Sequence, residues 1–140
     1  MKILVAVDGS KSSLNAVKYA VKLASNFRTQ DRITLINVHD DQGLRHAQQF
    51  VGKEGIADYL RALSDKELKA ALAVLVKAGV KHDCIIQTGH VAEVISAAAN
   101  KKFDMVVMGS KGRSGLVDML VGSVAQRVMA TCKKPVLLVK

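Results

Sequence analysis

Five short runs of apolar residues are spaced along the chain, and four of them lack the alternation of a half-exposed strand. These four are KILVAV (2–7), ITLINV (33–38), MVVM (105–108) and VLLV (136–139). Continuous β-branched runs of this kind are typical of parallel strands that helices cover on both faces. The fifth run, HDCIIQ (82–87), carries polar residues, so we expect it at an edge of the sheet.

Apolar residues at helical spacing lie between these runs and predict four helices. A long second helix is predicted from about Lys53 to Ala78, with Gly79 as its C-terminal stop. The apolar faces of the other three helices are Leu14, Val17, Val21 and Ala24; Val91, Val94, Ile95 and Ala98; and Val121, Val124, Ala125 and Val128.

Two boundaries of these helices are predicted from polar residues. Ser10 or Ser12 can cap the first helix, because either hydroxyl can accept a hydrogen bond from a free backbone N–H group. The stretch from Asp40 to Gly52, DDQGLRHAQQFVG, is polar and irregular, and we predict a mobile loop there.

Strands and helices alternate along the whole chain, which predicts an α/β fold with one domain over residues 1–140. Alternation of this kind predicts a parallel five-stranded sheet with helices on both faces, built from right-handed crossovers. If the chain winds outward from the first strand in both directions, the strand order is 3-2-1-4-5. Ligands of such sheets bind beyond the carboxyl ends of the strands, where the winding direction reverses.

Composition narrows the range of functions. Aromatic residues make up 4% of the chain and tryptophan is absent, so no stacking platform for single-stranded nucleic acid is expected. The N-terminal apolar run is too short for a membrane span. Cys84 and Cys132 lie far apart without metal-ligand spacing, so we expect both to be reduced and half-buried, in a cytosolic protein.

Positive charge is concentrated near the C-terminus. The formal net charge of the chain is +9, and from Lys101 to Lys140 eight Lys or Arg residues face two carboxylates, Asp104 and Asp118. This end of the protein should attract anions, although a solvated basic face is the simpler explanation of the charge alone.

The segment Gly109–Val128, GSKGRSGLVDMLVGSVAQRV, combines glycines, hydroxyls and cations in a way that suits phosphate. It matches neither G-x-x-x-x-G-K-[ST] nor G-x-G-x-x-G. Gly109, Gly112 and Gly115 permit positive φ, and they let backbone N–H groups approach a ligand without interference from a β-carbon. Gly122 should begin the fourth helix, whose free N–H groups also favour phosphate.

A second loop shares this Gly-Ser-Lys character. The first strand runs into VAVDGSKSS and the fourth into VVMGSKGRSG, so the two loops should face each other if these strands are neighbours. Asp8 would then belong to the same site as Gly109. Its carboxylate suits ribose hydroxyls or a metal, and does not suit direct contact with phosphate.

The spacing Gly109-x2-Gly112-x9-Gly122-Ser123 resembles the G-2x-G-9x-G-[ST] signature of ATP-binding universal stress proteins. Asp8 also lies where that family has an aspartate, and the resemblance extends over the whole chain. It implies a Rossmann-like adenine-nucleotide-binding fold, ATP with or without Mg²⁺ as ligand, and a role in stress response or signalling. It also implies a homodimer formed through the last strand, Val136, Leu137, Leu138 and Val139.

The resemblance further implies which residues hold each part of the nucleotide. Ala6 departs from the family members that have proline at that position, so the pocket wall differs there. The implied residues are Ala6, Val7, Asp8 and Val38 at adenine and ribose; Met108 and Gly109 at the ribose and α-phosphate; Gly112 and Arg113 along the phosphates; and Gly122, Ser123 and Val124 at the terminal phosphates.

Catalysis has little support in the sequence. No residue is an obvious candidate to orient water, so we expect no catalytic residue and at most weak ATPase or autophosphorylation activity. The side chains of His39, Asp40 and Asp41 diverge, so we expect no protein metal site. The alternatives are an interaction module that keeps the signature without binding nucleotide, an electron-transfer flavoprotein domain, and an ATP-pyrophosphatase, whose S-G-G-x-D-S motif differs from DGSKSS.

Overall fold

A computed structural model of the chain describes residues 1–26, 32–113 and 120–140. Strands and helices alternate within these ranges as the apolar pattern predicts. They are β1 (Lys2–Ala6), α1 (Lys11–Asn26), β2 (Arg32–His39), α2 (Asp41–Lys77), β3 (His82–Thr88), α3 (Val91–Lys102), β4 (Met105–Gly109), α4 (Ser123–Thr131) and β5 (Val136–Val139).

The five strands form one parallel sheet with the order β3-β2-β1-β4-β5, which confirms the predicted topology. Val5 on the central strand is in register with Leu35 of β2 on one side and Val107 of β4 on the other. The polar strand β3 lies at one edge, as expected, and β5 lies at the opposite edge. The winding therefore reverses between β1 and β4.

Each face of the sheet has its own apolar core, which explains why the central strands lack alternation. Val5 packs with α1 and α2 on one face, and its neighbour Leu4 packs with α3 and α4 on the other. Both side chains are fully buried. Burial of successive residues on opposite faces favours apolar residues at every position.

The prediction of a loop from Asp40 to Gly52 is wrong, because α2 begins at Asp41. The side chain of Asp40 caps this helix by accepting a hydrogen bond from the Gln42 N–H group (3.0 Å). The helix is interrupted at Gly52, where φ is 72° and ψ is 178°. The part before Gly52 packs little, and Phe50 is 79% exposed, so this part has no apolar stripe that could reveal it.

The second part of α2 follows the predicted pattern, with Leu68 and Leu75 buried in the core. Val76, the next residue after Leu75, is 68% exposed and lies outside this core. Gly79 adopts a φ of 64° and confirms the predicted stop. The Val80 N–H group donates back to the Leu75 carbonyl (3.2 Å), which completes a Schellman motif.

The two cysteines are both free thiols. Cys132 is half-buried, but Cys84 is exposed on the edge strand, so the expectation of half-burial is wrong for Cys84. Among the helices that the structure describes, none combines the length and the apolar character needed to cross a bilayer.

Candidate functional site

A cavity of about 300 Å³ opens beyond the carboxyl ends of β1, β2 and β4, where the winding direction reverses. All of the residues predicted from the sequence line it: Ala6, Val7, Asp8, Val38, Met108, Gly109, Gly112, Arg113, Gly122, Ser123 and Val124. The other residues that line it are Ser13, Ile36, Val91, Ile95, Lys111 and Ala125.

The loop after β1 holds Asp8 at the cavity. The Ser10 N–H group donates to Oδ1 of Asp8 (3.0 Å), so this oxygen is engaged within the loop. Ser10 also caps α1, because its Oγ accepts a hydrogen bond from the Ser13 N–H group (3.1 Å). Gly9, with a φ of 80°, makes the turn between the aspartate and the cap.

The loop after β4 meets the loop after β1, which confirms that the two Gly-Ser-Lys segments face each other. A β-carbon on Gly112 would lie 3.3 Å from Oδ2 of Asp8. The Lys111 N–H group donates to Oγ of Ser12 (3.4 Å), so the second serine joins the loops and does not cap the helix. One carboxylate oxygen of Asp8 therefore faces the second loop.

The structure uses only one of the two properties expected of the loop glycines. Neither Gly109 nor Gly112 has a positive φ, so the freedom to adopt left-handed backbone is not used at either position. What excludes a side chain at Gly109 is space, since a β-carbon there would lie 2.8 Å from the carbonyl carbon of Ser12. Gly115, the third glycine of that prediction, lies outside the described residues.

Helix α4 presents its N-terminus to the cavity. Gly122 is the N-cap residue and has no side-chain cap, and its own N–H group donates to the Ser110 carbonyl (2.7 Å). The first hydrogen bond of the helix runs from the Gln126 N–H group to the Gly122 carbonyl (3.0 Å). The N–H groups of the first three helical residues therefore have no intrahelical acceptor, and an anion in the cavity can accept from them.

Part of the cavity wall is apolar. Ile36 and Val38 contribute to it from β2, and Val91 and Ile95 contribute from the first turns of α3. Sequence reasoning assigned the two α3 residues only to the core. Their spacing of four places them on one face, but nothing in the pattern shows that part of this face borders an opening.

The backbone of Val38 also points into the opening. The Val7 N–H group donates to the Ile36 carbonyl (2.9 Å), and the Gly89 N–H group donates to the His39 carbonyl (3.0 Å). Since alternate residues of a strand direct their amide groups to opposite neighbours, Val38 directs its N–H and C=O groups toward β1. They lie past the end of that strand, at the apolar wall of the cavity.

A buried polar cluster behind the cavity was missed by the sequence reading. Glu67 of α2 accepts hydrogen bonds from Nδ2 of Asn37 (2.7 Å) and from the guanidinium of Arg113. The same Asn37 amide donates to the Val7 carbonyl (2.9 Å). Asn37 within an apolar run and Glu67 beside buried Leu68 were the available signals, because polar residues at such positions need partners.

His39 lies beside this cluster with 3% of its surface exposed, and its Nε2 is 2.7 Å from Oγ of Ser64. Burial lowers the pKa of His39 below its ordinary value. The negative charge of Glu67 opposes this shift of the pKa, and the positive charge of Arg113 adds to it. The imidazole is therefore held in its neutral form more strongly than an exposed histidine.

Comparison with known proteins decides which family this arrangement represents. Residues 1–140 match the model of the universal stress protein family. The chain belongs to that family. It is 34% identical to universal stress protein MJ0531 of Methanocaldococcus jannaschii, over 99% of this chain and 81% of the relative.

Solved structures of universal stress proteins share the fold. The structure of MJ0577 from the same organism superposes with a TM-score of 0.84 at 28% identity, covering 99% of this chain and 94% of that one. A universal stress protein in complex with cAMP superposes with a TM-score of 0.68 at 25% identity, covering 100% of this chain and 97% of that one.

For this universal stress protein, the described residues contain no cluster of three or more His, Cys, Asp or Glu side chains that could hold a metal ion. His39 is buried, whereas Asp40 is exposed and caps α2. Asp8 is the one carboxylate among the described residues that line the cavity.

Proposed function

We propose that this chain is a cytosolic adenine-nucleotide-binding regulator that binds ATP in the cavity and whose nucleotide state alters its interactions with partners. The observation that carries this proposal is that one cavity combines an apolar wall, the carboxylate of Asp8 and the uncapped N-terminus of α4. A nucleotide has an apolar base, a polar sugar and an anionic end, which suit these three surfaces in turn.

The base fits the apolar wall. Ala6 and Val7 flank it on β1 and the loop that follows, and Val38 flanks it on β2. The Val38 N–H and C=O groups supply one donor and one acceptor at the end of the strand, which suits the ring nitrogen and the amino group of adenine. The carboxylate of Asp8 then lies at ribose, where its free oxygen can accept from a hydroxyl group.

The phosphates fit the second loop and the helix start. Met108 and Gly109 bring the chain to the ribose and the α-phosphate, and Gly112 follows along the phosphate chain. A β-carbon on Gly122 would lie 3.5 Å from the Gly112 nitrogen, so this N–H group lies close to the helix start. Backbone N–H groups of the loop and of Ser123 and Val124 can therefore bind the same phosphate chain, assisted by the helix dipole.

Mg²⁺ is compatible with this site as a companion of the phosphates. Mg²⁺ is commonly held by one or two carboxylates together with substrate phosphates and water. Because Asp8 is assigned to ribose, phosphate oxygens and water would supply the ligands of the ion here. When bound, the ion would neutralise phosphate charge, while Asp8 orients the ribose end of the ligand.

Hydrolysis is expected to be slow or absent. Efficient phosphoryl transfer needs a residue that positions the attacking water, in addition to the groups that bind the phosphates. Asp8 lies at the proposed ribose end, and among the other described residues that line the cavity none is a carboxylate or a histidine. We therefore propose binding with at most weak ATPase or autophosphorylation activity.

A related protein supports the adenine ligand, since a universal stress protein 25% identical to this chain was solved in complex with cAMP. The direct test is to denature the purified protein and identify any released nucleotide by mass, and to titrate nucleotide-free protein with ATP and AMP in a calorimeter. We expect adenine nucleotide in both experiments. Absence of both signals would favour the interaction module that keeps the signature without binding nucleotide.

A further inference from the structure

The cations near the proposed phosphate site differ in how far their charge is available. Arg113 pairs with Glu67, and Arg127 lies 3.6 Å from Glu93. Lys111 lines the cavity and forms no ion pair with a carboxylate in the part of the chain that the structure describes. The positive charge that the sequence places at this loop is therefore partly neutralised within the protein.

Arg113 forms its ion pair with a carboxylate that is buried. The side chain of Glu67 is 6% exposed, whereas that of Arg113 is 57% exposed. Glu67 also accepts from the Asn37 amide, which is fully buried and bound to the Val7 carbonyl. The Glu67 carboxylate is therefore fixed by a hydrogen bond within the core, and the Arg113 guanidinium extends from the loop to contact it.

Release of Arg113 from this pair is unfavourable. It would leave a buried carboxylate with one neutral donor, and a buried charge without an opposite charge is strongly destabilising. An exposed guanidinium gains less from a solvated phosphate than it loses by leaving Glu67. The backbone of the loop can still approach a phosphate chain while the side chain stays with Glu67.

We propose that Glu67 is a specificity-determining residue, which neutralises the charge of the Arg113 side chain at the edge of the cavity and so lowers the preference for ATP over AMP. This rests on the proposed function, because it concerns the anionic end of the same ligand. The second and third phosphates of ATP add charge that only a free cation can exploit fully. With Arg113 neutralised, the helix N-terminus and Lys111 supply most of the attraction.

The experiment compares ATP and AMP affinities, measured by calorimetry, in the wild type and in Glu67→Gln. Glutamine keeps an acceptor for Asn37 and removes the charge that holds Arg113. We expect affinity for ATP to rise by about tenfold relative to AMP, the size of one added charge-assisted contact. Asp65→Asn is the matched control, since it removes an exposed carboxylate from the same helix and should leave the ratio unchanged.

A double variant, Glu67→Gln with Arg113→Gln, tests whether the gain passes through the guanidinium. The gain should disappear in the double variant, because the released cation is no longer present. If Glu67→Gln does not fold, Glu67→Met, with a side chain of similar length and no charge, takes its place with the same expectation. If Glu67 has only a structural role, Glu67→Gln should weaken the binding of ATP and the binding of AMP equally.

Three outcomes would overturn the inference. A fall in ATP affinity in Glu67→Gln with AMP unchanged would show that Glu67 positions Arg113 on the phosphates. An unchanged ratio, or a gain that persists in the double variant, would show that the pair does not set specificity. In all three cases AMP binding by the wild type would leave the proposed function intact, whereas absence of all nucleotide binding would overturn both proposals.

Discussion

Gly109 lies so close to Ser12 that no side chain fits between the end of β4 and the first turn of α1. A β-carbon on Gly109 would lie 2.5 Å from the Ser12 hydroxyl oxygen and 2.8 Å from the Ser12 carbonyl carbon. The hydroxyl could rotate away, but the backbone carbon belongs to a helix that is packed on the sheet. This contact holds the two loops of the site together.

Gly109→Ala should therefore lower the free energy of unfolding by about 1–3 kcal/mol, the usual cost of overpacking a well-packed region. Chemical denaturation followed by circular dichroism measures it. Gly43→Ala is the matched control, because a β-carbon there meets no heavy atom of the described residues within 4 Å. This control lies in α2 and should raise stability by about 0.5–1 kcal/mol. Equal stability of Gly109→Ala and the wild type would show that the contact is not tight.

Gly122→Val should abolish or strongly weaken ATP binding with little loss of stability. A β-carbon at Gly122 makes ordinary contacts of 3.5 Å with Gly112, Lys111 and Ser110, so Gly122→Ala should fold and retain binding. The two further methyl groups of valine would crowd the path between the loop and the helix start. Calorimetric titration of both variants tests this prediction. Full affinity for ATP in Gly122→Val would show that the glycine signature forms a turn and does not bind nucleotide.

Salt should separate nucleotide binding from general attraction of anions. Binding of DNA to the basic C-terminal region should weaken steeply between about 50 mM and about 200 mM salt, as counterion release requires. ATP affinity should change by less than about threefold over this range, because aligned N–H groups at close range are screened weakly. Titrations of both ligands at several salt concentrations test this. Loss of ATP binding at physiological salt would contradict a specific site.

Stability should decline on mild acidification because of His39. Its pKa in the folded state is lowered, chiefly by burial, from the ordinary value of 6.5. The unfolded chain therefore binds the proton at a higher pH than the folded chain does. The stabilisation is fully present above pH 6.5 and is lost as the pH falls through the folded-state pKa. Denaturation at a series of pH values should show a smaller decline for His39→Gln than for the wild type.

His82→Gln is the control for that series. His82 Nδ1 is 2.8 Å from the Val80 carbonyl oxygen, on the edge strand away from the cluster. This variant should follow the pH profile of the wild type. If His39→Gln also follows the wild-type pH profile, protonation of His39 does not cause the decline in stability.

The last strand should mediate a homodimer. Residues Val136–Val139 are half-buried at the free edge of the sheet, and an apolar edge of this kind favours pairing with a second chain. Leu138→Glu should yield monomers or insoluble protein, whereas Lys133→Glu, beside the strand, should remain dimeric. Multi-angle light scattering measures both. A monomeric wild type at micromolar concentration would contradict this prediction of a homodimer.

Local patterns in the sequence determined the order of the elements and the place of the site. Continuous apolar runs reveal strands that are buried on both faces, because the side chains on each face of such a strand pack against helices. The parallel sheet follows from alternation with helices. Since the carboxyl ends of neighbouring strands meet at one edge, residues as distant as Asp8 and Gly112 could be assigned to one cavity from the chain alone.

Features that depend on contacts between distant elements came only from the tertiary structure. The helix before Gly52 has no apolar stripe, because it packs little, so its sequence resembles a loop. Glycine is needed at position 109 because α1 packs against it, and the residues near position 109 in the sequence do not reveal this contact. The pairing of Glu67 with Arg113 joins two elements that the sequence treats separately. Charge in a sequence is a property of residues, whereas the charge available to a ligand depends on which partner the fold brings within reach.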